Sequence, residues 1–271
     1  MNSPKEIAQN YVAIGKTKAN LAIDKMFLLA VIAGAFISFG GVGAATASVG
    51  ITPASAGKLI SGCVFPGGLT LVLLAGSELF TGNCLLSIPL LEKEITVKQM
   101  LRNWIVVYLG NMAGGMLVAA GLVCSGQYNM FDGAMAVSVF STAAAKCALS
   151  FSDAFIKGVF CNILVCLAVW VSFSAKDSAG KVISLFFPIL IFVVCGFEHC
   201  VANMYYISAG LFAKNIPSYV SAAMAAGVNI DVITWKNFFI TNLIPVTLGN
   251  IVGGAVCVGA LYWYIYLKKE R

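Results

Sequence analysis

Six long apolar stretches separated by short polar segments dominate the chain, at roughly 26 to 50, 59 to 91, 103 to 124, 154 to 175, 182 to 213 and 238 to 267. Each reaches the ~20 residues that a helix needs to cross a bilayer, which predicts six membrane crossings. Two of the stretches are too long. Leu59 to Leu91 covers 33 residues and Val182 to Ala213 covers 32. As straight helices these would run roughly 50 Å against a hydrocarbon core of about 30 Å, so each must tilt steeply or be interrupted.

Interruption is favoured because both contain one pattern in register, Gly76-Ser77-Glu78-Leu79-Phe80-Thr81-Gly82-Asn83 and Gly196-Phe197-Glu198-His199-Cys200-Val201-Ala202-Asn203. A second echo, Val107 to Gly115 against Val246 to Gly254, supports an internal duplication. Three spans per half invert the second half relative to the first, so inverted repeats are expected at about 26 to 125 and 150 to 267 within a channel domain of residues 26 to 271. Gly110 to Gly114 and Gly249 to Gly253 have the G-x-x-x-G spacing of close helix packing.

The polar first 25 residues carry no signal-peptide pattern and predict a cytoplasmic interfacial helix over 1 to 25. Ser3 can cap it, Pro4 suits its first position and Glu6 completes a capping box. Ile7, Tyr11, Ile14, Lys18 and Leu21 fall on one side, apolar except for the lysine. The two readings of this helix are a membrane-surface anchor and a movable gate.

Composition sharpens the picture. Hydrophobic residues make up 60% of the chain and charged ones 10%, with a mean hydropathy of +0.92; a soluble domain carries about 25% charge. That excludes a water-soluble globule and intrinsic disorder. The net charge of +6 does not indicate nucleic acid, because the basic residues segregate by loop. With both termini cytoplasmic, inner segments hold twelve basic residues (Lys5, Lys16, Lys18, Lys25, Lys93, Lys98, Arg102, Lys176, Lys181, Lys268, Lys269, Arg271) and outer segments five (Lys58, Lys146, Lys157, Lys214, Lys236). This obeys the positive-inside rule and predicts an N-in, C-in topology. Nine cysteines, no two spaced C-x-x-C, are expected to pack as small hydrophobes, with no metal and no cofactor.

Irregular backbone at membrane depth is tolerated only inside protein or beside a water-filled path, so the paired breaks predict a pore. Glu78 and Glu198 are expected to accept hydrogen bonds from the free N–H groups of the restarting half-helices and to brace the breaks, with contact to a permeant species as their other role. Asn83 and Asn203 are expected as caps. His199, the single histidine, lies near the bilayer centre, about midway between Lys181 and Lys214, and with Thr81 offers an imidazole N–H and a hydroxyl as donors to an anion. Phe80, Phe192 and Phe197, with Leu69, are candidates for dry constrictions. Asn162 is a buried polar residue suited to an interhelical hydrogen bond, and Lys146 in the longest polar loop is placed to draw anions to the entrance.

These motifs are specific. Through Glu78 to Asn83, Asn103-Trp104, Tyr108 to Asn111, Cys161 to Trp170, Gly196 to His199, Ala202 to Met204 and Asn242 to Asn250, the chain resembles the formate-nitrite transporter family over essentially its whole length. By overall likeness it is most similar to the bacterial hydrosulfide channel branch. The resemblance implies an all-α membrane protein, aquaporin-like, with six transmembrane helices in two inverted three-helix repeats and two broken helices, assembled as a homopentamer with one pore per protomer in the bacterial inner membrane. It also implies Leu69 and Phe192 at constrictions, Thr81 and His199 at the central site, Asn162 in the pore wall and Lys146 in the outer vestibule. The chain carries Glu78 and Gly82 where formate-type members commonly have aspartate and serine, and Cys200 where serine is frequent.

The expected function is a channel, not an enzyme, for small monovalent weak-acid anions: hydrosulfide first, then formate and nitrite. The alternatives are proton-coupled formate or nitrite transport and a neutral-solute channel. Neither break contains Asn-Pro-Ala or an arginine, which weighs against the last. An intramembrane serine hydrolase is disfavoured because Ser77 stands in no Gly-x-Ser-Gly motif, and no nucleotide-binding loop is present for ATP-driven pumping.

Overall fold

The computed structural model describes residues 1–268, so Lys269 and Arg271 of the inner basic set lie outside the described residues. The first half contains α1 (Pro4–Ala19), α2 (Ile23–Ser48), α3 (Ala54–Gly76), α4 (Phe80–Leu91) and α5 (Val97–Cys124). The second contains α6 (Ala134–Cys147), α7 (Phe151–Ser172), α8 (Ser178–Val194), α9 (Cys200–Ala213), α10 (Pro217–Ala225) and α11 (Asn237–Tyr266). Helices α2, α3, α5, α7 and α11 are each long and apolar enough to cross a membrane alone. The remaining crossing is divided between α8 and α9.

Both over-long stretches are interrupted at the duplicated pattern. The helix ends on a left-handed glycine, Gly76 at φ +80° and Gly196 at φ +68°, which costs no Cβ clash. Extended backbone follows, and the chain re-enters a helix after Leu79 (φ −109°, ψ 122°) and His199 (φ −111°, ψ 114°), which hold equivalent positions in the two halves. Within each half the first and third spans pack along each other, α2 on α5 and α7 on α11. The G-x-x-x-G residues are why they approach so closely. A Cβ on Gly110 would lie 2.9 Å from the Phe27 carbonyl oxygen of α2, and one on Gly249 would overlap the Phe155 carbonyl of α7.

Helix α1 starts with the expected capping box: Ser3 N donates to Glu6 Oε2 (2.6 Å) and Glu6 N to Ser3 Oγ (3.4 Å). Ile7 and Tyr11 are buried against the rest of the bundle. The Tyr11 hydroxyl donates to the Gly82 carbonyl (3.2 Å), Lys16 pairs with Glu94 (2.8 Å), and Arg102 Nη2 donates to the Ala19 carbonyl (2.6 Å). α1 precedes α2 as α6 precedes α7, and each supplies a lysine to the break of its own half. The apolar side of α1 meets the α4 end of the first broken stretch, some 70 residues on in sequence.

Candidate functional site

Each break is held by one set of contacts used twice. In the first half Lys18 Nζ donates to Glu78 Oε1 (2.7 Å), and Asn83 Nδ2 donates to Glu78 Oε2 (2.7 Å) and Asn103 Oδ1 (2.9 Å). In the second, Lys146 Nζ donates to both Glu198 oxygens (2.9 and 3.0 Å), and Asn203 Nδ2 donates to Glu198 Oε2 (2.6 Å) and Asn242 Oδ1 (2.8 Å). The two carboxylates are therefore neutralised by lysines rather than by half-helix N–H groups, and Asn83 and Asn203 bind those carboxylates rather than capping helices. A lysine supplies full opposite charge where a partial helix charge would leave a buried anion undercompensated.

The caps come instead from the third span of each half. Asn111 Oδ1 accepts from Phe80 N and Asn250 Oδ1 accepts from Cys200 N, both at 2.9 Å. Their amide groups donate to the carbonyls of Ala30 and Glu78 (2.7 and 2.9 Å) and of Gly158 and Glu198 (2.8 and 3.0 Å). Each asparagine thereby satisfies backbone groups that a break in a membrane helix leaves open. The equivalent residues Tyr108 and Thr247 meet each other, hydroxyl to hydroxyl, at 3.0 Å.

Between the breaks Thr81 and His199 touch: Thr81 Oγ1 lies 2.8 Å from His199 Nε2, and both are buried. The direction of this bond follows from the other ring nitrogen. His199 Nδ1 accepts the Ala202 backbone N–H (3.0 Å) as the N-cap of α9. A nitrogen that accepts carries no proton, so the neutral ring holds its hydrogen on Nε2 and donates it to Thr81 Oγ1. That leaves the threonine O–H free to donate to a third group. Asn162 Nδ2 donates to the carbonyls of Thr81 (3.2 Å) and Asn250 (2.6 Å), and Cys166 Sγ contacts the same Thr81 carbonyl (3.3 Å). The first turn of α4 is thus fixed from α7, and Asn162 makes the interhelical bond that its burial suggested.

A cavity of about 600 Å³ descends to His199 from the face opposite α1, with Phe65, Lys146, Lys157, Phe192, Glu198 and His199 in its wall. Phe192 meets Phe65 edge-to-face (5.4 Å between centroids) and lies 6.0 Å from the His199 ring. This makes an apolar collar directly above the polar pair. Leu69 is buried one turn beyond Phe65 on α3. Phe80 packs on Trp104 and Tyr108 of α5 (6.1 and 5.0 Å), and Phe197 packs on Phe160 (5.5 Å). Lys146 is on α6, not in a loop, and is committed to Glu198 and to the face of Tyr206 (5.5 Å). Sequence reasoning missed Lys18 as the Glu78 partner, the two capping asparagines and Phe65. The signals were the one lysine on the apolar side of α1, the asparagine inside the duplicated Leu-Gly-Asn, and the one-turn spacing of Phe65 from Leu69.

A duplicated helical bundle whose broken helices converge on buried, uncharged hydrogen-bond donors beneath an apolar collar belongs to the multi-pass membrane transport proteins. Residues 5–264 match the family model described as "Formate/nitrite transporter", and the chain belongs to that family, whose members are channels and transporters rather than enzymes. It is 39% identical to a "Probable formate transporter" of Methanothermobacter thermautotrophicus, over 98% of each chain. It is 37% identical to "Formate channel FocA" of Escherichia coli, covering 98% of this chain and 95% of that one. Among solved structures, a "Pentameric formate channel with formate bound" superposes with a TM-score of 0.80 at 39% identity, over 91% of this chain and 98% of that one. An "FNT family ion channel" superposes at 0.84 and 30% identity, over 96% and 98%.

Proposed function

We propose that this protein passes small monovalent anions of weak acids through each subunit of a homopentamer, with selection at Thr81 and His199. Formate is the first permeant to test, because the relatives above carry that name. Hydrosulfide and nitrite follow, hydrosulfide on the overall likeness to its branch. The observation that carries the reading is the capped His199 ring. With Nδ1 held as an acceptor, Nε2–H and the Thr81 hydroxyl form a donor chain ending in a free O–H, and no carboxylate joins it. An anion stripped of water at the Phe192 collar needs donors, and this chain supplies one without a fixed charge that would trap the ion. Glu78, Glu198, Asn83 and Asn203 support the breaks. Asn162 holds the Thr81 turn at the pore wall, while Leu69 and Phe192 narrow the path, with Phe80 behind the first constriction.

On the positive-inside distribution, both termini and α1 face the cytoplasm of a bacterial cell membrane, and the cavity opens outward. α1, docked on Gly82 and Glu78, then covers the cytoplasmic end. Proteoliposome uptake of formate, hydrosulfide, nitrite, chloride and lactate, repeated with Thr81→Ala and His199→Ala, tests the reading. Formate flux is expected to fall by roughly 10- to 100-fold in each variant, the weight of a hydrogen bond to a charged group. Unchanged fluxes for every anion in both variants would refute the central site.

A further inference from the structure

We propose that Lys157 of α7 is the residue that concentrates anions in the outer cavity, a role that Lys146 does not fill. The inference rests on the anion reading above. Lys146 is bound by both oxygens of Glu198, with 14% of its side chain exposed, so the pair offers an approaching ion almost no net charge. Lys157 lines the same cavity. Among the described residues its ammonium has no carboxylate within 4 Å and no hydrogen-bond acceptor. Of the charged groups nearby, Glu198 is taken by Lys146, Asp153 one turn earlier on α7 is exposed and outside the cavity wall, and Lys58 on α3, which also lines the cavity, is a second, more exposed cation.

The repeat shows what this lysine adds. Glu198 N donates to the Lys157 carbonyl and Glu78 N donates to the Leu29 carbonyl, both at 3.3 Å. Lys157 and Leu29 therefore do the same backbone work at equivalent positions, and only the second half carries a charge there. Lys157 is half-buried, so its field acts through protein and confined water rather than bulk solvent, where a cleft of one sign raises the local counter-ion concentration. An uncompensated positive charge thus stands beside the break that presents His199.

The test is initial formate uptake by the full-length protein in vesicles of uncharged lipid, at an ionic strength of about 10 mM and again at about 1 M, for Lys157→Leu, Lys157→Gln, Lys157→Arg and Lys58→Gln. At low ionic strength Lys157→Leu and Lys157→Gln are expected to lower uptake about threefold, the occupancy change that a unit charge roughly 8 Å away produces at an effective dielectric near 60. The difference is expected to vanish at high salt, where the Debye length falls to about 3 Å. Lys157→Arg keeps wild-type behaviour, and Lys58→Gln changes uptake less than Lys157→Gln. If both neutral variants match wild type at low ionic strength while His199→Ala still lowers flux by roughly 10-fold or more, this inference fails and the function stands. A loss that persists at high salt also overturns it, since that marks a steric effect. A wild-type protein that takes up no formate, hydrosulfide or nitrite overturns the functional reading and this inference together.

Discussion

At the first break Glu78 is held by Lys18 and Asn83 while Asn111 caps the restarting helix; at the second, Glu198 is held by Lys146 and Asn203 while Asn250 caps. Asn103 donates to the Lys18 carbonyl at 3.3 Å and Asn242 to the Lys146 carbonyl at 3.0 Å. Around this shared frame the occupants differ: Leu79 against His199, Thr81 against Val201, Leu29 against Lys157. The contacts that close each break are duplicated, because each half must close an interrupted helix in a medium that offers no water to unpaired backbone. Thr81, His199 and Lys157, the groups proposed to meet the permeant, are not duplicated. The polar centre takes its hydroxyl from one half and its imidazole from the other, at positions two residues apart in the repeat, so the two side chains meet near the middle instead of facing equivalent neighbours.

The largest effects are expected where that shared frame is broken. Removing one member of a buried ion pair strands the other, at a cost of about 3–5 kcal/mol. Lys146→Ala is expected to lower the unfolding free energy in nanodiscs by that order, and Lys18→Ala by less. The Lys18 side chain is 22% exposed against 14% for Lys146, so water can reach a stranded Glu78 more readily. A larger loss for Lys18→Ala would show that the halves are not equivalent in energy as they are in geometry. The caps come next. Asn111→Ala and Asn250→Ala each leave one backbone N–H and two carbonyls open, and each is expected to cost about 2–3 kcal/mol. A difference between them much beyond 1 kcal/mol would break the comparison at the level of the helix ends.

The frame was partly legible in the sequence. Span positions, both interruptions and the duplication follow from hydropathy and a repeated motif, because the bilayer permits few alternatives to a helix of about 20 apolar residues. Thr81 and His199 stood out as uncharged donors beside the breaks. What could not be read was partnership across distance. Nothing local tells that Lys18 reaches Glu78, 60 residues on, or that Lys146 reaches Glu198, 52 residues on. A helix N–H and a lysine are equally reasonable counter-groups for a carboxylate until the fold places one of them. The G-x-x-x-G spacing around Asn111 and Asn250 explains close packing without any polar residue, so it gives no sign of the caps that the two asparagines form.

A smaller effect tests the asymmetric centre. Thr81→Val gives the first half the side-chain type that Val201 has in the second, keeping shape while deleting the hydroxyl. Formate flux is expected to fall by roughly tenfold, the weight of one net hydrogen bond, while stability falls by about 1–3 kcal/mol because the buried His199 Nε2–H loses its acceptor. Val201→Thr, the reverse exchange, is expected to leave flux unchanged. Measured side by side in vesicles, equal effects from the two would mean that the pathway uses both halves alike.

The smallest expected effect separates the outer ends of the two halves. α1 begins with a capping box, whereas its counterpart α6 begins at Gly133 with no side-chain cap. The Glu6 carboxylate accepts the Ser3 backbone N–H, and that bond, helped by the Ser3 hydroxyl, holds its pKa below the ordinary 4.5. A group whose folded pKa is depressed contributes stability above its unfolded value and loses it as the pH falls through the folded one. Hydrogen-exchange protection in the first turn of α1, corrected for intrinsic rates, is therefore expected to drop roughly twofold as the pH falls below 4.5 and through the depressed folded pKa, the weight of one exposed cap. The first turn of α6 has no carboxylate to protonate and is expected to stay constant. Glu6→Gln should keep the geometry while flattening the pH dependence. If α6 lost protection in parallel, or if Glu6→Gln kept the acid response, the fraying would belong to the whole bundle and not to the box that only the first half possesses.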